Sequence, residues 1–497
     1  MGREVKYKLK TNHKYIVSLL MLLVFGLAGC NGETETNVGK LNFENPLKIP
    51  PLLEPNIGSD GIKHFTLTMQ KGASEFLPGE RTDTWGINQS YLGPTIRASQ
   101  GDRVAFDVVN NLGQTSTLHW HGMRLPAVMD GGPHQMIEAG TTWSPHWTID
   151  QPSATTWYHP HLHGKTAQHV YKGLAGMFII EDEDSKKLPS EYGVNDIPLI
   201  IQDKLFTSDG QLLEDNKSSF GTIGNKILVN GTYNPFFEVK ASRVRFRLLN
   251  GSNARAYNFG FTDNRKFQLV ANDAGLLQEP VTLDRIMLSP GERAEVVVEF
   301  KPGEEATFHS FSSNNEIGKG EFDLLKMVAA NELTESTPIV GQLSTVLPIE
   351  VPNNAKLRQF KMTMENQIND KSMDMNRIDE VVPVGTKEIW EINNFGSSHN
   401  FHIHNAAFRV LDINDKLPPE YERGRKDTVF IPNGSTVRIV VEFGNYPDPS
   451  HPFMYHCHIL RHEDDGMMGQ FLLVKPGTES KTPVKLPQAS KDEHNGH

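Results

Sequence analysis

The strand-like stretch Arg103-Val-Ala-Phe-Asp-Val-Val-Asn110 alternates apolar and polar side chains. Two later stretches, Arg243-Val-Arg-Phe-Arg-Leu-Leu-Asn250 and Lys387-Glu-Ile-Trp-Glu-Ile-Asn-Asn394, repeat this pattern. Alternation of this kind is typical of a strand with one buried face. The copies lie roughly 140 residues apart, which is the size of a single sandwich domain. The sequence therefore predicts an all-β protein of three sandwich units, near residues 60–185, 195–335 and 355–476.

Composition limits the classes of function. The chain has 497 residues, of which 37% are apolar and 22% charged, so it has enough apolar residues for several packed cores. The net charge of −11 argues against nucleic acid as a partner and against adsorption to anionic lipid. Only two cysteines occur, Cys30 and Cys457, which excludes a disulfide framework. The 20 histidines require an explanation.

The N-terminus has the pattern of an export signal. A basic opening precedes an uncharged, mostly apolar run over residues 15–29, which is too short for a spanning helix of ~20 residues. Its end, Leu27-Ala28-Gly29-Cys30, resembles the lipobox of bacterial lipoproteins, with Cys30 as the lipidated residue. We therefore expect a signal peptide over 1–29, and an uncleaved N-terminal anchor is the alternative. Both interpretations place the rest of the chain outside the cytoplasm and tethered to a membrane.

Two further segments flank the predicted sandwiches. Residues 30–59 are rich in Gly, Asn, Glu, Thr and Pro and are interpreted as a spacer. Residues 477–497 form a polar tail.

Histidine pairs of the form His-x-His occur twice in the first unit and twice in the third. The equivalent strands of the middle unit carry Tyr257-Asn258-Phe259 and His309-Ser310-Phe311 instead. Because a strand alternates faces, both members of a pair project from one face. The pairs are His119 with His121, His159 with His161, His402 with His404, and His456 with His458. Imidazole suits copper, zinc and iron, so the sequence predicts a metal cluster between the first and third units, with the middle unit as a spacer.

Cys457 lies between two of these histidines and must point to the opposite face of the strand. It therefore cannot bind the metal that His456 and His458 bind. Together with His399, His462 and Met467, it supplies the two imidazoles, the thiolate and the weak thioether of a blue-copper site. The peptide bonds from Cys457 to its neighbours would connect that site to the cluster as an electron relay.

The resemblance to bacterial laccase-like multicopper oxidases rests on four motifs and covers the chain between spacer and tail. In chain order they are His119-Trp-His121, His159-Pro-His161, His399-Asn-Phe-His402-Ile-His404, and His456-Cys457-His458 with His462 and Met467. The resemblance implies three consecutive cupredoxin-like Greek-key β-sandwich domains and four copper ions. It assigns the mononuclear type 1 copper to His399, Cys457, His462 and axial Met467, and the type 2 copper to His119 and His402. It assigns the type 3 pair to His121, His159 and His458 on one ion and to His161, His404 and His456 on the other. Asn400 stands where the family usually has Pro, a departure that changes no ligand.

The resemblance also implies a reaction. A reducing substrate would give single electrons to the type 1 copper through a ligand imidazole edge near the surface, and four electrons would reduce O₂ to two waters. Carboxylates must supply the protons because imidazoles on copper cannot. The resemblance assigns this role to Asp130 and Glu463; a turn residue and a solvated loop charge are the alternatives. We expect a monomer.

Substrate choice is less strongly indicated. Met362, Met364, Met373 and Met375 have the alternating spacing of core residues. Gly396-Ser397-Ser398 stands where cuprous oxidases of this family present Asp and Met, which argues against a dedicated Cu(I) site. We therefore expect activity on phenols, aromatic amines and dyes, with slower oxidation of metal ions. A cuprous oxidase for copper tolerance is the alternative, and a non-catalytic cupredoxin scaffold is disfavoured because every ligand is kept.

Overall fold

A computed structural model describes residues 1–2, 35–214, 218–313, 317–339 and 341–486. Cys30, nearly all of the predicted signal peptide and the last part of the polar tail lie outside the described residues. Strands account for 48% of the structure and helices for 5%, which confirms the prediction of an all-β fold. Among the described residues, no helix has the length and apolar character needed to cross a membrane.

The first sandwich packs two sheets around an apolar core. One sheet has the order β10-β7-β4-β3, with β5 and β9 paired at its side, and the other has the order β6-β12-β11-β8. Phe65, Trp120 and Phe178 belong to the core between them. The strands up to this point are β1 (Glu35–Thr36), β2 (Asn45–Pro46), β3 (Asn56–Ile57), β4 (Lys63–Glu75), β5 (Arg81–Ile87), β6 (Ile96–Ser99), β7 (Arg103–Asn111), β8 (His119–His121), β9 (Thr142–Trp143), β10 (His146–Thr148), β11 (Ala154–His159) and β12 (Gly176–Glu181).

The middle sandwich has one sheet of order β15-β14-β13-β17-β22-β19-β20 and a second that contains β2-β16-β24-β23-β18-β21. Its strands are β13 (Asp196–Lys204), β14 (Lys226–Val229), β15 (Thr232–Tyr233), β16 (Pro235–Ala241), β17 (Arg243–Asn250), β18 (Tyr257–Phe261), β19 (Phe267–Asn272), β20 (Gly275–Leu283), β21 (Arg285–Leu288), β22 (Arg293–Glu299), β23 (Glu305–Ser310) and β24 (Gly320–Thr334).

The third sandwich pairs a sheet of order β25-β27-β31-β29 with one of order β26-β33-β32-β28-β30. Its strands are β25 (Lys356–Met362), β26 (Glu380–Pro383), β27 (Lys387–Asn394), β28 (His399–Ile403), β29 (Ala406–Ile413), β30 (Thr428–Ile431), β31 (Thr436–Phe443), β32 (Asp448–His456) and β33 (Met468–Val474). The α-helices described are α1 (Thr166–Lys172) and α2 (Leu460–Asp464). Single 3₁₀ turns cover Ala127–Met129, Ser185–Lys187, Glu420–Glu422 and Glu479–Lys481.

The repeat seen in the sequence is also a repeat of topology. The three quoted stretches are β7, β17 and β27, and each pairs in parallel with an earlier strand of its own sandwich, β4, β13 or β25. In the opposite sheets, β8, β18 and β28 pair in antiparallel fashion with β11, β23 and β32. Equivalent strands therefore carry the histidine pairs of the outer sandwiches and the corresponding residues of the middle one.

The segment predicted as a spacer is packed where the structure describes it. β2 pairs in parallel with β16 of the middle sandwich, and β3 pairs with β4 of the first. The Asn37 side chain donates to the carbonyl of Asp323 at 3.0 Å, and Leu47 is buried in the middle core. The structure therefore differs from the prediction here, because backbone pairing and a buried side chain hold residues that polar composition alone marks as a free linker.

Candidate metal centres

The histidine pairs meet between the first and third sandwiches. Strand register places His119 opposite His159 and His402 opposite His456. Rings from the two sandwiches then stack face to face: the ring centroids of His119 and His404 are 3.8 Å apart, and those of His121 and His402 are 3.7 Å apart. All eight imidazoles of the four pairs are at most 1% exposed.

Protein oxygens orient several of these rings through one nitrogen, and the other nitrogen has no hydrogen-bond partner within the described ranges. Nδ1 of His119 donates to the carbonyl of Asp130 at 2.8 Å, and Nδ1 of His402 donates to the carbonyl of Asp427 at 2.9 Å. Several ring nitrogens lack a hydrogen-bond partner in the described part of the chain: Nε2 of His119, Nδ1 of His121, Nε2 of His159, Nε2 of His402 and both nitrogens of His458. Buried polar atoms normally have a partner, so a set of bare nitrogens in one place fits bound metal.

Three of the imidazoles converge most closely. Nε2 of His456 lies 3.1 Å from Nε2 of His161 and 3.2 Å from Nε2 of His404. The family resemblance assigns these three side chains to one copper ion, and the structure brings their ligand atoms within 4.8 Å of one another. A shared cation would replace the unfavourable contact between lone pairs.

The other predicted groupings are also brought together, although less tightly. The rings of His121, His159 and His458 lie 5.0–5.7 Å apart between centroids. Those of the predicted type 2 pair, His119 and His402, lie 6.1 Å apart. How the eight rings divide among individual ions stays a prediction.

Burial keeps the imidazoles in the form that binds metal. Burial, together with repulsion from His402, lowers the pKa of His119 to about 3. Burial and the neighbouring His462 lower the pKa of His399 to about 3, and burial lowers that of His462 to about 4. The neutral imidazole is the metal-binding form, so these rings need lose no proton at neutral pH.

A second, smaller site lies inside the third sandwich. The Cys457 sulfur is 3.7 Å from Nδ1 of His399 and 3.6 Å from Nδ1 of His462, and the two nitrogens are 3.0 Å apart. His399 belongs to β28, Cys457 follows β32, and His462 lies on α2, so three separate elements supply the site. As expected, Cys457 faces away from the large cluster and joins the sandwich core.

Met467 completes the predicted set of ligands to this smaller site. It is fully buried in the same apolar core as Cys457, and its carbonyl accepts the Cys457 N–H at 3.1 Å. Burial raises the pKa of the Cys457 thiol to about 12, so a metal must displace its proton.

Asp130 and Glu463 both contact the large cluster. Oδ2 of Asp130 lies 2.7 Å from Nδ1 of His404. The two carboxylate oxygens of Glu463 lie 3.2 Å from Nδ1 of His161 and 3.4 Å from Nδ1 of His456. Both carboxyls are at most 1% exposed, and burial raises the pKa of each well above its usual value. Both carboxyls therefore lie in a buried environment that differs from a solvated turn or loop, and their role as proton carriers stays a prediction.

Sequence reasoning missed Asp427. Its Oδ1 lies 3.1 Å from Nε2 of His121, and its carboxylate forms a double hydrogen bond with Arg293 of the middle sandwich at 2.6 and 2.7 Å. Burial would raise the pKa of Asp427, but the charge of Arg293 lowers it well below its usual value. The available signal was a charged dipeptide, Lys426-Asp427, directly before the apolar strand β30.

Neighbouring residues cover both imidazoles of the smaller site. His399 and His462 are 0% and 1% exposed, so neither presents an imidazole edge to solvent. The carbonyl of Thr363 lies beside the His399 ring, and that of Ser219 accepts a hydrogen bond from the His462 ring. The ring of Phe220, a residue of the middle sandwich, lies 5.6 Å from that of His462. Neighbouring backbone therefore covers both rings, and electron entry through an imidazole edge near the surface stays a prediction.

The fold and these sites define a three-sandwich protein in which a candidate metal site with one thiolate adjoins a cluster of eight buried imidazoles. Three family models described as multicopper oxidase match residues 68–185, 198–324 and 347–477. The chain is 38% identical over 445 residues to the multicopper oxidase mco of Staphylococcus aureus, covering 88% of this chain and 95% of that protein. The chain therefore belongs to the multicopper oxidase family.

Solved structures of related proteins have a similar fold. A laccase from Pediococcus acidilactici is similar with a TM-score of 0.80 and 36% identity, covering 87% of this chain and 94% of that one. The chain is also 35% identical over 465 residues to the cell division protein FtsP of Escherichia coli, covering 91% of this chain and 97% of that protein. Membership of the family confirms a copper oxidoreductase that uses O₂, and it leaves the reducing substrate to be argued from the site.

Proposed function

We propose that the protein is a laccase-like oxidase of phenols and aromatic amines, with slower oxidation of metal ions. Four one-electron oxidations would support the reduction of one O₂ to two waters. The observation that carries the proposal is the join between the two sites, in which Cys457 serves one while His456 and His458 serve the other. A protein that only stored copper, or used its sandwiches as a scaffold, would not require this covalent connection.

The donor sets fit four copper ions. His399, Cys457, His462 and Met467 would hold the type 1 ion, and the eight paired imidazoles would hold the other three. Bound copper supplies the one-electron redox chemistry that side chains lack. Two imidazoles, a thiolate and a thioether suit a blue-copper ion, whereas imidazoles alone suit the remaining ions.

The carboxyls beside the cluster would carry protons. Oxygen reduction consumes protons, and Asp130 and Glu463 are buried carboxyls within 3.5 Å of ring nitrogens that face away from the shared space. Burial raises the pKa of each carboxyl and so favours its protonated form, from which a proton can be passed toward the cluster. Asp130, when it is ionised, also orients His404 by accepting a hydrogen bond from Nδ1.

The surface nearest His399 supports an aromatic substrate. Met364 and Phe395 are 75% and 65% exposed, and Met364 packs against Gly396, three residues before His399. Exposed apolar side chains over a covered ring suit a flat donor that docks on the surface. The electron would then pass through the Thr363 peptide, whose carbonyl lies beside the His399 ring.

One observation favours the cuprous alternative. Of the four methionines predicted as core residues, only Met362 is buried; Met373 and Met375 are half-buried. Met364 is exposed, so its thioether can meet a soft monovalent ion. A single exposed thioether beside His399 is a weaker Cu(I) site than a cluster of them, so phenol oxidation remains the first proposal.

The decisive experiment compares substrates on copper-loaded protein. We expect an intense blue absorption band and a higher kcat/KM for a phenol than for Cu(I). A higher value for Cu(I) would replace the laccase proposal with the cuprous one, and the absence of oxygen uptake with both donors would favour the scaffold. Met364→Leu is the matched variant, because it should lower only the Cu(I) rate.

Replacement of the shared cysteine tests the relay. Cys457→Ser should remove the blue band and lower the turnover rate at least ~10³-fold, because a serine hydroxyl does not form the strong thiolate bond to copper. The eight imidazoles remain, so copper at the cluster should be retained. Oxygen uptake at the wild-type rate in this variant would disprove the relay.

We further propose that the protein is a monomer held outside the cytoplasm by a lipid on Cys30. The lipobox-like sequence supports this proposal. Cys30→Ser should move the protein from the membrane fraction to the soluble extracytoplasmic fraction. Retention in the membrane fraction would support the uncleaved anchor.

A further inference from the structure

Asn400 stands where the family usually has proline, and the structure gives this difference a physical meaning. The residue lies in β28 directly after His399 and is fully buried. Its side-chain oxygen accepts the His458 N–H at 2.6 Å and lies 3.5 Å from the Cys457 sulfur. A proline at this position could make none of these side-chain contacts.

The amide of Asn400 also ties the middle sandwich to the copper-binding segment. Nδ2 donates to the carbonyl of Pro290 at 2.8 Å and lies 3.2 Å from Oγ of Ser289. With Nδ2 fixed on this side, Oδ1 must face His458, so the amide orientation is determined. The side chain therefore holds the peptide between Cys457 and His458 at a set distance from β28.

The backbone of Asn400 faces the sulfur as well. The N–H of Asn400 points to the β32 side of its strand, the side on which the His404 N–H donates to the Met454 carbonyl at 3.0 Å. It therefore faces the Cys457 sulfur, toward which the N–H of Ile459 is also directed. Proline has no N–H, so a chain with proline at position 400 keeps only the donor from Ile459. This chain has one donor more on its sulfur than the usual family sequence allows.

From this geometry we propose that Asn400 is a positioning residue that raises the reduction potential of the type 1 copper. The inference rests on the proposed function, because it takes His399, Cys457 and His462 as the type 1 ligands. Reduction adds negative charge to the site, part of which falls on the sulfur. A donor directed at the sulfur stabilises the reduced form more than the oxidised form and so raises the potential.

The test separates the backbone donor from the side chain. Asn400→Pro removes both, whereas Asn400→Ala removes the side chain and keeps the N–H. In copper-loaded protein, we expect the proline variant to favour reduction about tenfold less than the alanine variant, a potential lower by ~59 mV for one electron. The sulfur-to-copper absorption band of the proline variant should lie at longer wavelength. Equal potentials and equal bands in the two variants would overturn the inference.

A measurement on the wild type covers the case in which the proline variant takes up no copper. The copper–sulfur stretching frequency, recorded by resonance Raman spectroscopy, should shift when the protein is exchanged into D₂O and should shift less in a proline variant that does load. A wild-type frequency that is the same in H₂O and D₂O would overturn the inference. A wild type without a blue band would instead overturn the proposed function and, with it, this inference.

Discussion

Asp130 of the first sandwich and His404 of the third meet across the boundary between their domains, with Oδ2 2.7 Å from Nδ1. The carbonyl of the same aspartate accepts a hydrogen bond from His119. Gly131, which has a φ of +73°, allows this approach, because a Cβ there would lie 1.8 Å from the Leu118 carbonyl oxygen. One short turn therefore orients imidazoles from both sides of the cluster and places a buried carboxyl beside them.

Asp130→Asn should lower the rate of oxygen reduction about 10²-fold or more, since a positioned proton donor contributes at least that much. The amide oxygen can still accept a bond from His404, so copper content should stay unchanged. Oxygen uptake at saturating phenol measures the effect. Asp102→Asn, in an ion pair with Lys63 on the first sandwich, is the control. A fully loaded variant with the wild-type rate would show that Asp130 only orients the rings.

Glu463→Gln should lower turnover by a similar factor, because both of its oxygens face ring nitrogens and the amide cannot release a proton. The solvent deuterium isotope effect on turnover should increase as proton transfer becomes limiting. Asp465→Asn, two residues further on and in an ion pair with Arg461, is the matched control and should keep the wild-type rate. Equal rates in the two variants would contradict a proton-carrying role for Glu463.

Arg293→Met should lower the free energy of unfolding of the copper-free protein by about 3–5 kcal/mol, the usual cost of leaving a buried charge unpaired. The guanidinium and the Asp427 carboxylate are both fully buried, and the pair joins the middle sandwich to the third. Urea denaturation measures the change. Arg243→Met breaks a pair with Glu299, which is 68% exposed, and should cost at most ~1 kcal/mol. Similar losses of unfolding free energy in the two variants would mean that the buried ion pair contributes little to stability.

Glu442→Gln should lower the free energy of unfolding at neutral pH and should reduce the loss of stability that acid causes. Burial would raise the pKa of Glu442, but a hydrogen bond from Arg425 and the charge of Arg124 lower it from 4.5 to about 2. A lowered carboxyl pKa stabilises the fold above about pH 4.5, and this contribution is lost as the pH falls toward 2. With ~1.4 kcal/mol per pH unit and partial exposure of the group, the contribution is ~2 kcal/mol.

Urea midpoints measured from pH 7 to pH 2 check this sign. The difference between wild type and Glu442→Gln should be largest at pH 7 and should disappear near pH 2. Glu299→Gln serves as the control, because its carboxyl is largely exposed. A difference that grows as the pH falls would contradict the argument.

The sequence was informative where the physics is local. Alternation in β7, β17 and β27 predicted strands, and their spacing predicted three units. The two-residue period of a strand was sufficient to separate Cys457 from its neighbouring histidines. These inferences need only the geometry of one strand, and the structure agrees with them.

The sequence was uninformative where distant segments meet. Asp427 reaches His121 across more than 300 residues. The charged dipeptide Lys426-Asp427 makes the position unusual, but it does not indicate His121 as the partner. The cover over His399 and His462 comes from Thr363 and from a loop of the middle sandwich, so it depends on how the domains pack. Asn400 was recognised as a departure from the family, but its partners became visible only with the fold.

The single strand end that carries Cys457 between His456 and His458 has an evolutionary consequence. In the proposed relay, the distance that an electron travels inside the protein is fixed by peptide bonds, so it does not depend on the residues that contact the donor at the surface. Mutations around Met364 and Phe395 can therefore change which reductant binds without changing the proposed site of O₂ reduction.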